Sequence, residues 1–343
     1  MIIQENHKGI ASIDVFKFLC AVMVVGIHTQ PFGDRLSSGL YATTIFRVAV
    51  PFFFAISSYL FYIKGELNII KYVRRLVILD IVWTLLELPF IIYIFFGRDI
   101  SLDESVWKLL QGLLFGESYK GSWYIHASWM GMFLLYVMSK YFSKGIVAFI
   151  CVCCFTLGLL DSSYRYLLNM PPLNELSLFW IQMSNILQPS ESFIIAIPYM
   201  AIGKYLAEHK NVVNAKYIYV GILASIIFLL LEAKLCSYFF APVINVIVNP
   251  RLEVFVCLVP FVIFVIPALL KIKIKISDSL SKYLRLTSIL VYLSHQVLMI
   301  ILYKLGFLPV GMSFFISTMI VSVLFSVVIL VLSSKYRVVK YLY

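Results

Sequence analysis

The apolar residues of this chain come in blocks of roughly 16–24, separated by short charged stretches, and that spacing limits the fold more than any single motif does. A block of that length crosses a hydrocarbon core as a helix. Without strict alternation of apolar and polar positions it does not suit a β-barrel. Composition agrees, because 62% of the 343 residues are hydrophobic and only 13% are charged. Soluble domains run nearer to about a quarter charged. The expectation is an all-α polytopic membrane protein of about ten transmembrane helices, at 10–31, 42–63, 76–96, 122–141, 144–160, 191–207, 217–238, 252–270, 286–305 and 311–332. The fifth block is short and the sixth is broken by Pro198, so nine or eleven spans stay open. Asp14 and Lys17 inside the first block, and no small-residue cleavage site after it, argue against a signal peptide.

Charge sets the orientation. With the amino terminus inside, 18 of the 28 Lys and Arg residues fall in cytoplasmic segments and eight outside, with Lys17 and Arg47 in the spans. That split follows the positive-inside rule, and places both termini in the cytoplasm. The net charge of +11 is therefore a topology signal: the expected partner is the lipid bilayer of the cell's inner (plasma) membrane, and no nucleic acid. Residues 1–343 are expected to form one integral membrane domain without a soluble appendage or internal repeat. The loops 97–121 and 161–190 fall outside and are too short for a separate core. They and their edges carry Trp107, Tyr119, Trp123, Tyr164 and Trp180, which suit an interfacial belt or an acceptor-binding lid. The six cysteines lie in or beside apolar spans without His or carboxylate at ligand spacing, so packing is expected and no metal.

Ionisable groups inside a span are expensive, and they mark function or a specific partner. Lys17 and His28 on the first block are eleven residues apart, so they share a helix face about 16 Å apart along the axis. Asp14 precedes Lys17 by three and can pair with it. Arg47 on the second block reaches the depth of His28 if the two spans are antiparallel, and Pro51 can bend that helix. An arginine there can hold an anion or a developing oxyanion, or snorkel to the outer headgroups. His295, in Tyr292-Leu-Ser-His295, sits mid-span with a structural or a substrate-binding role. His7, His126 and His209 fall near interfaces and need no special role.

These residues, in this order, resemble the membrane acyltransferase-3 family. Its signature is Arg or Lys, ten residues, then His, as in Lys17 and His28. Further elements are Arg47-Val-x-Val-Pro51-x-Phe-Phe-x-x-Ser57, the basic patch Lys71-Tyr-Val-Arg-Arg75, Trp123-Tyr124 opening the fourth span, and Tyr292-Leu-x-His295. The resemblance covers the whole chain. It implies a membrane enzyme that takes an acyl group, usually acetyl, from cytoplasmic acyl-CoA and places it on an acceptor hydroxyl, often of an extracytoplasmic glycan or other envelope component. It also implies that His28 is the essential residue, with Lys17 and Arg47 at the family's basic positions. The stretch Thr44–Ser57 and Gly158-Leu-Leu-Asp-Ser-Ser-Tyr164 are similar to the membrane domain of vancomycin-resistance serine racemases. Those proteins continue into a pyridoxal-phosphate racemase domain, thought to receive serine from the membrane part. Residues 1–343 hold no such domain, so racemisation is not expected of them. Family members carry Ser-Gly where this chain has Ser57-Ser58, a departure that bears on the shape of the cavity.

The expected chemistry is O-acyl transfer with acetyl-CoA, or another acyl-CoA, as donor. His28 acts as general base or carries the acyl group, and Arg47 holds an anionic group or the oxyanion. Asp14 and Lys17 organise the first helix at the catalytic end of the scheme. Lys71, Arg74 and Arg75 meet the CoA phosphates, and Trp123, Tyr124 and His295 contact the acceptor. Two rivals use the same cavity without chemistry: a permease for serine or a similar small metabolite, and a non-catalytic assembly protein. Only the enzyme requires acyl-CoA.

Overall fold

A computed structural model describes residues 10–64, 68–96, 101–115, 123–209, 213–240 and 251–343. His7 and Tyr119, and four of the basic residues counted above for the orientation (Lys8, Arg98, Lys120 and Lys210), lie outside these residues. Among the described residues the chain is helical without a strand. Its α-helices are α1 (Ala11–Thr29), α2 (Leu40–Phe46), α3 (Ala49–Tyr62), α4 (Ile69–Phe96), α5 (Leu102–Phe115), α6 (Trp123–Tyr141), α7 (Lys144–Leu160), α8 (Ser177–Ile186), α9 (Phe193–Glu208), α10 (Ile218–Phe240), α11 (Leu258–Lys271), α12 (Asp278–Lys304) and α13 (Met312–Lys335). Every apolar block became a helix or a helix pair. Among the described residues five stretches are long and apolar enough to cross a membrane: Ala11–Thr29, Leu40–Tyr62, Ala215–Phe239, Asp278–Lys304 and Met312–Lys335. Lys144–Leu160 and Leu258–Lys271 are shorter apolar helices.

Serines start several of these helices by covering amide groups that have no partner within the helix. Ser143 Oγ accepts from Ile146 N, Ser192 Oγ from Ile194 N and Ser277 Oγ from Leu280 N. Proline acts differently at two places. The second block breaks at Arg47–Val48, between α2 and α3, four residues before Pro51. Proline has no N–H to give the carbonyl four residues earlier and its ring crowds that carbonyl, which here belongs to Arg47. The sixth block, expected to be broken by Pro198, is instead one helix, α9. Pro198 is only its sixth residue, so the backbone bond it forgoes lies in the first turn.

Two packing contacts position the site. α3 and α9 touch backbone to backbone, because a Cβ on Gly203 would stand 2.0 Å from the Ala55 carbonyl oxygen. The close approach that Ser57-Ser58 put in question is therefore supplied from α9, with Ser58 fully buried. α1 and α12 run parallel and in register. Asp14 meets Ser281 and Arg285 at one end, while His28 meets His295 at the other. Both steps are 14 residues, about 21 Å of helix. The far end of α1 is closed by Gly311 N, which donates to Thr29 O at 2.7 Å. Gly311 has φ +103, a left-handed conformation that disfavours any side chain.

Candidate functional site

The end of α1, the α2–α3 break, the first residue of α6, residues of α9 and α12, and the segments around Glu191 and Glu253 enclose one cleft. Its lining includes Val24, Ile27 and His28 from α1, Arg47, Pro51 and Phe54 from the broken span, Trp123 at the start of α6, Ser190 and Glu191, Tyr199 on α9, Glu253, and Tyr292 on α12. The structure thus brings together three residues singled out from sequence, His28, Arg47 and Trp123. His295 stands directly behind, its ring centre 5.2 Å from that of His28. Tyr124 lies in the wall, 4.9 Å from the Tyr292 ring and 4.8 Å from that of Phe54.

Arg47 does not snorkel. The break that Pro51 imposes turns its side chain inward, where Nη2 pairs with Glu253 Oε1 at 3.2 Å. Its Nε is buried without a partner. Glu253 stands in the non-helical stretch 251–257, outside the helices. Burial alone would raise its carboxyl, but the guanidiniums of Arg47, Arg251 and Arg35 hold it below the ordinary value.

A hydrogen-bonded scaffold fixes that stretch. Ser162 Oγ accepts from Glu253 N and Val254 N at 3.0 Å each and donates to Arg251 O at 2.9 Å. The Glu232 carboxylate on α10 accepts from Val256 N at 2.7 Å, Cys257 N at 2.9 Å and Tyr164 Oη at 2.7 Å. Arg251 donates to Gln188. Asp161 Oδ2 accepts from Ser190 N at 3.1 Å and Ser190 Oγ at 2.7 Å, which places Glu191 on the cleft. Burial pushes the Asp161 carboxyl up, against the pull of those Ser190 bonds. Asp161-Ser162-Ser163-Tyr164 is therefore a brace for the cleft, with the Ser162 hydroxyl committed to backbone groups and that of Tyr164 to Glu232.

The other residues read from sequence lie elsewhere. Asp14 was read as able to pair with Lys17; its carboxylate accepts from Ser281 Oγ at 2.7 Å and Arg285 Nη1 at 3.3 Å, with Lys17 near enough to feel its charge. Ser281 and Arg285 come from α12, which packs along α1 and brings its first turns to that level. Neither Asp14 nor Lys17 lines the cleft. Lys71, Arg74 and Arg75 are exposed on the first turns of α4, beside Tyr72, whose ring packs on Phe61 at 5.2 Å. Phe61 is 14 residues along from Arg47, so the patch and the cleft occupy opposite ends of α3. Trp107 is exposed on α5 and Trp180 is buried.

Sequence reasoning missed Glu191 and Glu253, which stand at the first and second positions of the expected spans 191–207 and 252–270. It also missed a second buried polar group. His126, expected to need no special role, is buried and its Nδ1 lies 3.2 Å from Asp80 Oδ2, which also accepts from Trp129 Nε1 at 3.0 Å. Among the described residues no three His, Cys, Asp or Glu side chains gather as metal ligands.

A family model described as “Acyltransferase domain”, Acyl_transf_3, matches residues 10–331. The chain belongs to the acyltransferase-3 family. A serine/alanine racemase of Enterococcus gallinarum is 28% identical over 250 residues, covering 69% of this chain and 34% of the relative. An amino-acid racemase of Enterococcus faecalis is 29% identical over 184 residues, covering 50% of this chain and 26% of the relative. The chain thus spans about a third or less of the length of these curated relatives. No solved structure matches it. Family and apolar helices together make it a multi-pass membrane protein of acyltransferase type.

Proposed function

We propose that this chain is a membrane O-acyltransferase. It takes an acyl group, acetyl in the simplest case, from acyl-CoA at the cytoplasmic face and delivers it to a hydroxyl at the opposite face. The acceptor would be a glycan or another envelope component. The proposal includes the ten-span topology with cytoplasmic termini, the cell membrane as its location, and residues 1–343 acting as one domain. The observation that carries it is the convergence of His28, the Arg47–Glu253 pair and the His295 ring on one cleft. A histidine there can take the acceptor's proton, and Arg47 can face the oxyanion.

In chemical terms, the acceptor oxygen attacks the thioester carbonyl, a C–O bond forms and the C–S bond breaks. The hydroxyl proton passes to His28 and ends on the departing CoA thiolate. If the acyl group first rides on His28, the same bonds exchange in two steps. Lys71, Arg74 and Arg75 supply charge-assisted contacts for the CoA phosphates. Lys17 and Asp14 hold α1 in place, and Trp123 and Tyr124 shape the acceptor side.

A second reading is favoured by the names of the relatives. Racemases of serine and alanine have use for a membrane part that passes a small amino acid, and a cleft offering Arg47 and Glu191 suits a zwitterion. The experiment that separates the two supplies radiolabelled acetyl-CoA to the purified protein. Label reaching the protein, or an added acceptor pool, supports acyl transfer. A protein that ignores acetyl-CoA but moves labelled serine into vesicles is a permease.

A further inference from the structure

We propose that a second cavity, near the ends of α3, α6 and α9 and apart from the His28 cleft, is a binding site for a phosphate monoester. The cavity holds about 180 Å³ and is lined by Tyr62, Tyr136, Ser139, Lys140 and Lys204. A water takes about 30 Å³ in the liquid, so a tetrahedral oxyanion fits there with waters beside it. Each of the five residues carries an N–H or O–H donor, and none is a carboxylate. Two ammonium groups among hydroxyls suit a ligand group with nearly two negative charges and several acceptor oxygens.

Three helices build this lining. Tyr136, Ser139 and Lys140 stand three and four residues apart, so they share one face in the last turns of α6. Tyr62 closes α3. Lys204 follows Gly203, whose close contact with the Ala55 carbonyl draws α9 against α3. The Lys204 ammonium accordingly lies over the Tyr62 ring, 4.9 Å from its centre, an attraction that holds the charge at the cavity wall. It also reaches Glu208 Oε1, one turn on and 43% exposed, at 3.6 Å. That is longer than a charge-assisted hydrogen bond of about 2.7–2.9 Å, so the carboxylate does not use up the ammonium. Lysines in the last turns of helices also offset the negative end of the helix dipole. That role needs neither a cavity nor hydroxyls beside it.

The neighbourhood of the cavity names the sources of such a group. The Phe61 ring stands between it and the basic patch on α4, its centre 5.1 Å from that of Tyr62 and 5.2 Å from that of Tyr72. Coenzyme A carries phosphate at two places, a diphosphate in its arm and a monoester on the ribose 3′ oxygen. With the donor proposed above, the patch takes the diphosphate and the cavity takes the 3′ monoester. A phosphatidate headgroup offers the same monoester from the membrane surface, and the same contacts would hold it. The site therefore does not depend on the donor being acyl-CoA.

The test has two arms and needs no knowledge of the acceptor. Affinities of the purified full chain for acetyl-CoA and acetyl-3′-dephospho-CoA, at one ionic strength, read the first source. The expected preference for acetyl-CoA is about 30-fold, falling to within about threefold in a Lys140→Gln, Lys204→Gln variant. A Lys271→Gln, Lys273→Gln control removes two exposed charges at the end of α11 and should keep the preference within about twofold of wild type. Native mass spectrometry reads the second source, as phosphatidate retained in excess of phosphatidylglycerol, a diester. The cavity variant should lose that excess and the control should keep it. Should the double variant not fold, Lys140→Gln, at an exposed position, should show part of the same loss. A preference that depends on the cavity lysines in either arm supports the site. No preference in wild type, or a preference that the cavity variant keeps or the control loses equally, in both arms, overturns it. A protein that binds neither form of acetyl-CoA but holds phosphatidate through these lysines sinks the donor of the proposed function and leaves the site standing.

Discussion

At one end of α1, Asp14 is 2% exposed and both Ser281 and Arg285 aim at its carboxylate. At the other end, His28 faces a cleft where Arg47 Nε and Tyr199 Oη are buried without partners, with His295 Nε2 idle behind it. The two ends hold the same kind of residue, an ionisable group deep in an apolar helix. They differ in the groups around that residue: at the Asp14 end the neighbouring donors are used, and at the His28 end Arg47 Nε, Tyr199 Oη and His295 Nε2 are not. A satisfied cluster holds helices together. A cluster with unmet donors and acceptors beside open space waits for something else to complete it. On that contrast we propose that the Asp14 end is structural and the His28 end chemical.

The sharpest way to break the contrast is His28→Gln. A general base contributes roughly 10²–10⁴-fold in rate, whereas an interhelical hydrogen bond in a membrane is worth only about a kcal/mol. Acyl transfer should therefore fall to near background in a protein that melts as the wild type does and still binds acyl-CoA. Near-normal turnover of labelled acetyl-CoA in this variant would end the assignment of His28.

Next in size is the Arg47–Glu253 pair, which lies within the chemical end but is itself closed. Both side chains are nearly out of solvent, at 14% and 12% exposed. Glu253→Gln leaves a buried guanidinium unpaired and should cost about 3–5 kcal/mol of stability, while an Arg47→Met, Glu253→Met double variant should recover most of it. Acid gives an independent check. The folded state depresses the Glu253 carboxyl, so the pair's contribution is whole above the ordinary value of 4.5 and is lost as pH falls through the depressed one. Thermal melts of wild type should drop below that pH, and those of the double variant should drop less.

Much of this was legible in the sequence, and the gaps have physical causes. Block lengths give the helices because a helix alone satisfies its backbone over that length of apolar chain. Lys17, His28 and Arg47 stand out because charge in such a block is costly. What the sequence lacks is partners across distance. Asp14 has a basic neighbour three residues away, yet its partner Arg285 lies 271 residues along the chain, and helix spacing carries no trace of it. Glu253 is the second residue of the block 252–270, at a span edge where a carboxylate can reach the interface and does not stand out. Only the structure shows it in a non-helical stretch against Arg47. The one available signal was Arg47 itself, since a buried guanidinium requires a counter-charge. Pro51 was visible, but its effect appears four residues earlier, at Arg47, because the carbonyl it deprives of a hydrogen bond is there.

The basic patch tests whether a third region belongs with the chemical end despite its distance. Lys71, Arg74 and Arg75 are exposed and lie about 21 Å along α3 from Arg47. If they hold the CoA phosphates, Arg74→Ala with Arg75→Ala should raise KM for acyl-CoA about tenfold with kcat little changed, and added salt should weaken the wild type toward the variant. Unchanged acyl-CoA binding in a correctly inserted double variant would reduce the patch to a topology signal.

The smallest effect is expected at the satisfied end of α1, and it decides whether the contrast holds. Asp14→Asn keeps an oxygen that Ser281 can donate to and removes the charge that faces Arg285 and, one turn along α1, Lys17. Arg285 is 31% exposed on its side chain, so it can turn to water, and the loss is nearer that of a partly solvated pair, about 1 kcal/mol. The variant should melt slightly lower and turn over acetyl-CoA within about twofold of wild type, because no atom of Asp14 reaches the cleft some 21 Å away along α1. The null for this prediction is a direct role for the Asp14–Lys17 end in moving protons or handling the donor. In that case kcat would fall at least tenfold in Asp14→Asn at unchanged stability, and Lys17→Met would reproduce the fall. Such a result would place chemistry at both ends of α1, and satisfied hydrogen bonds would no longer separate structure from function in this helix.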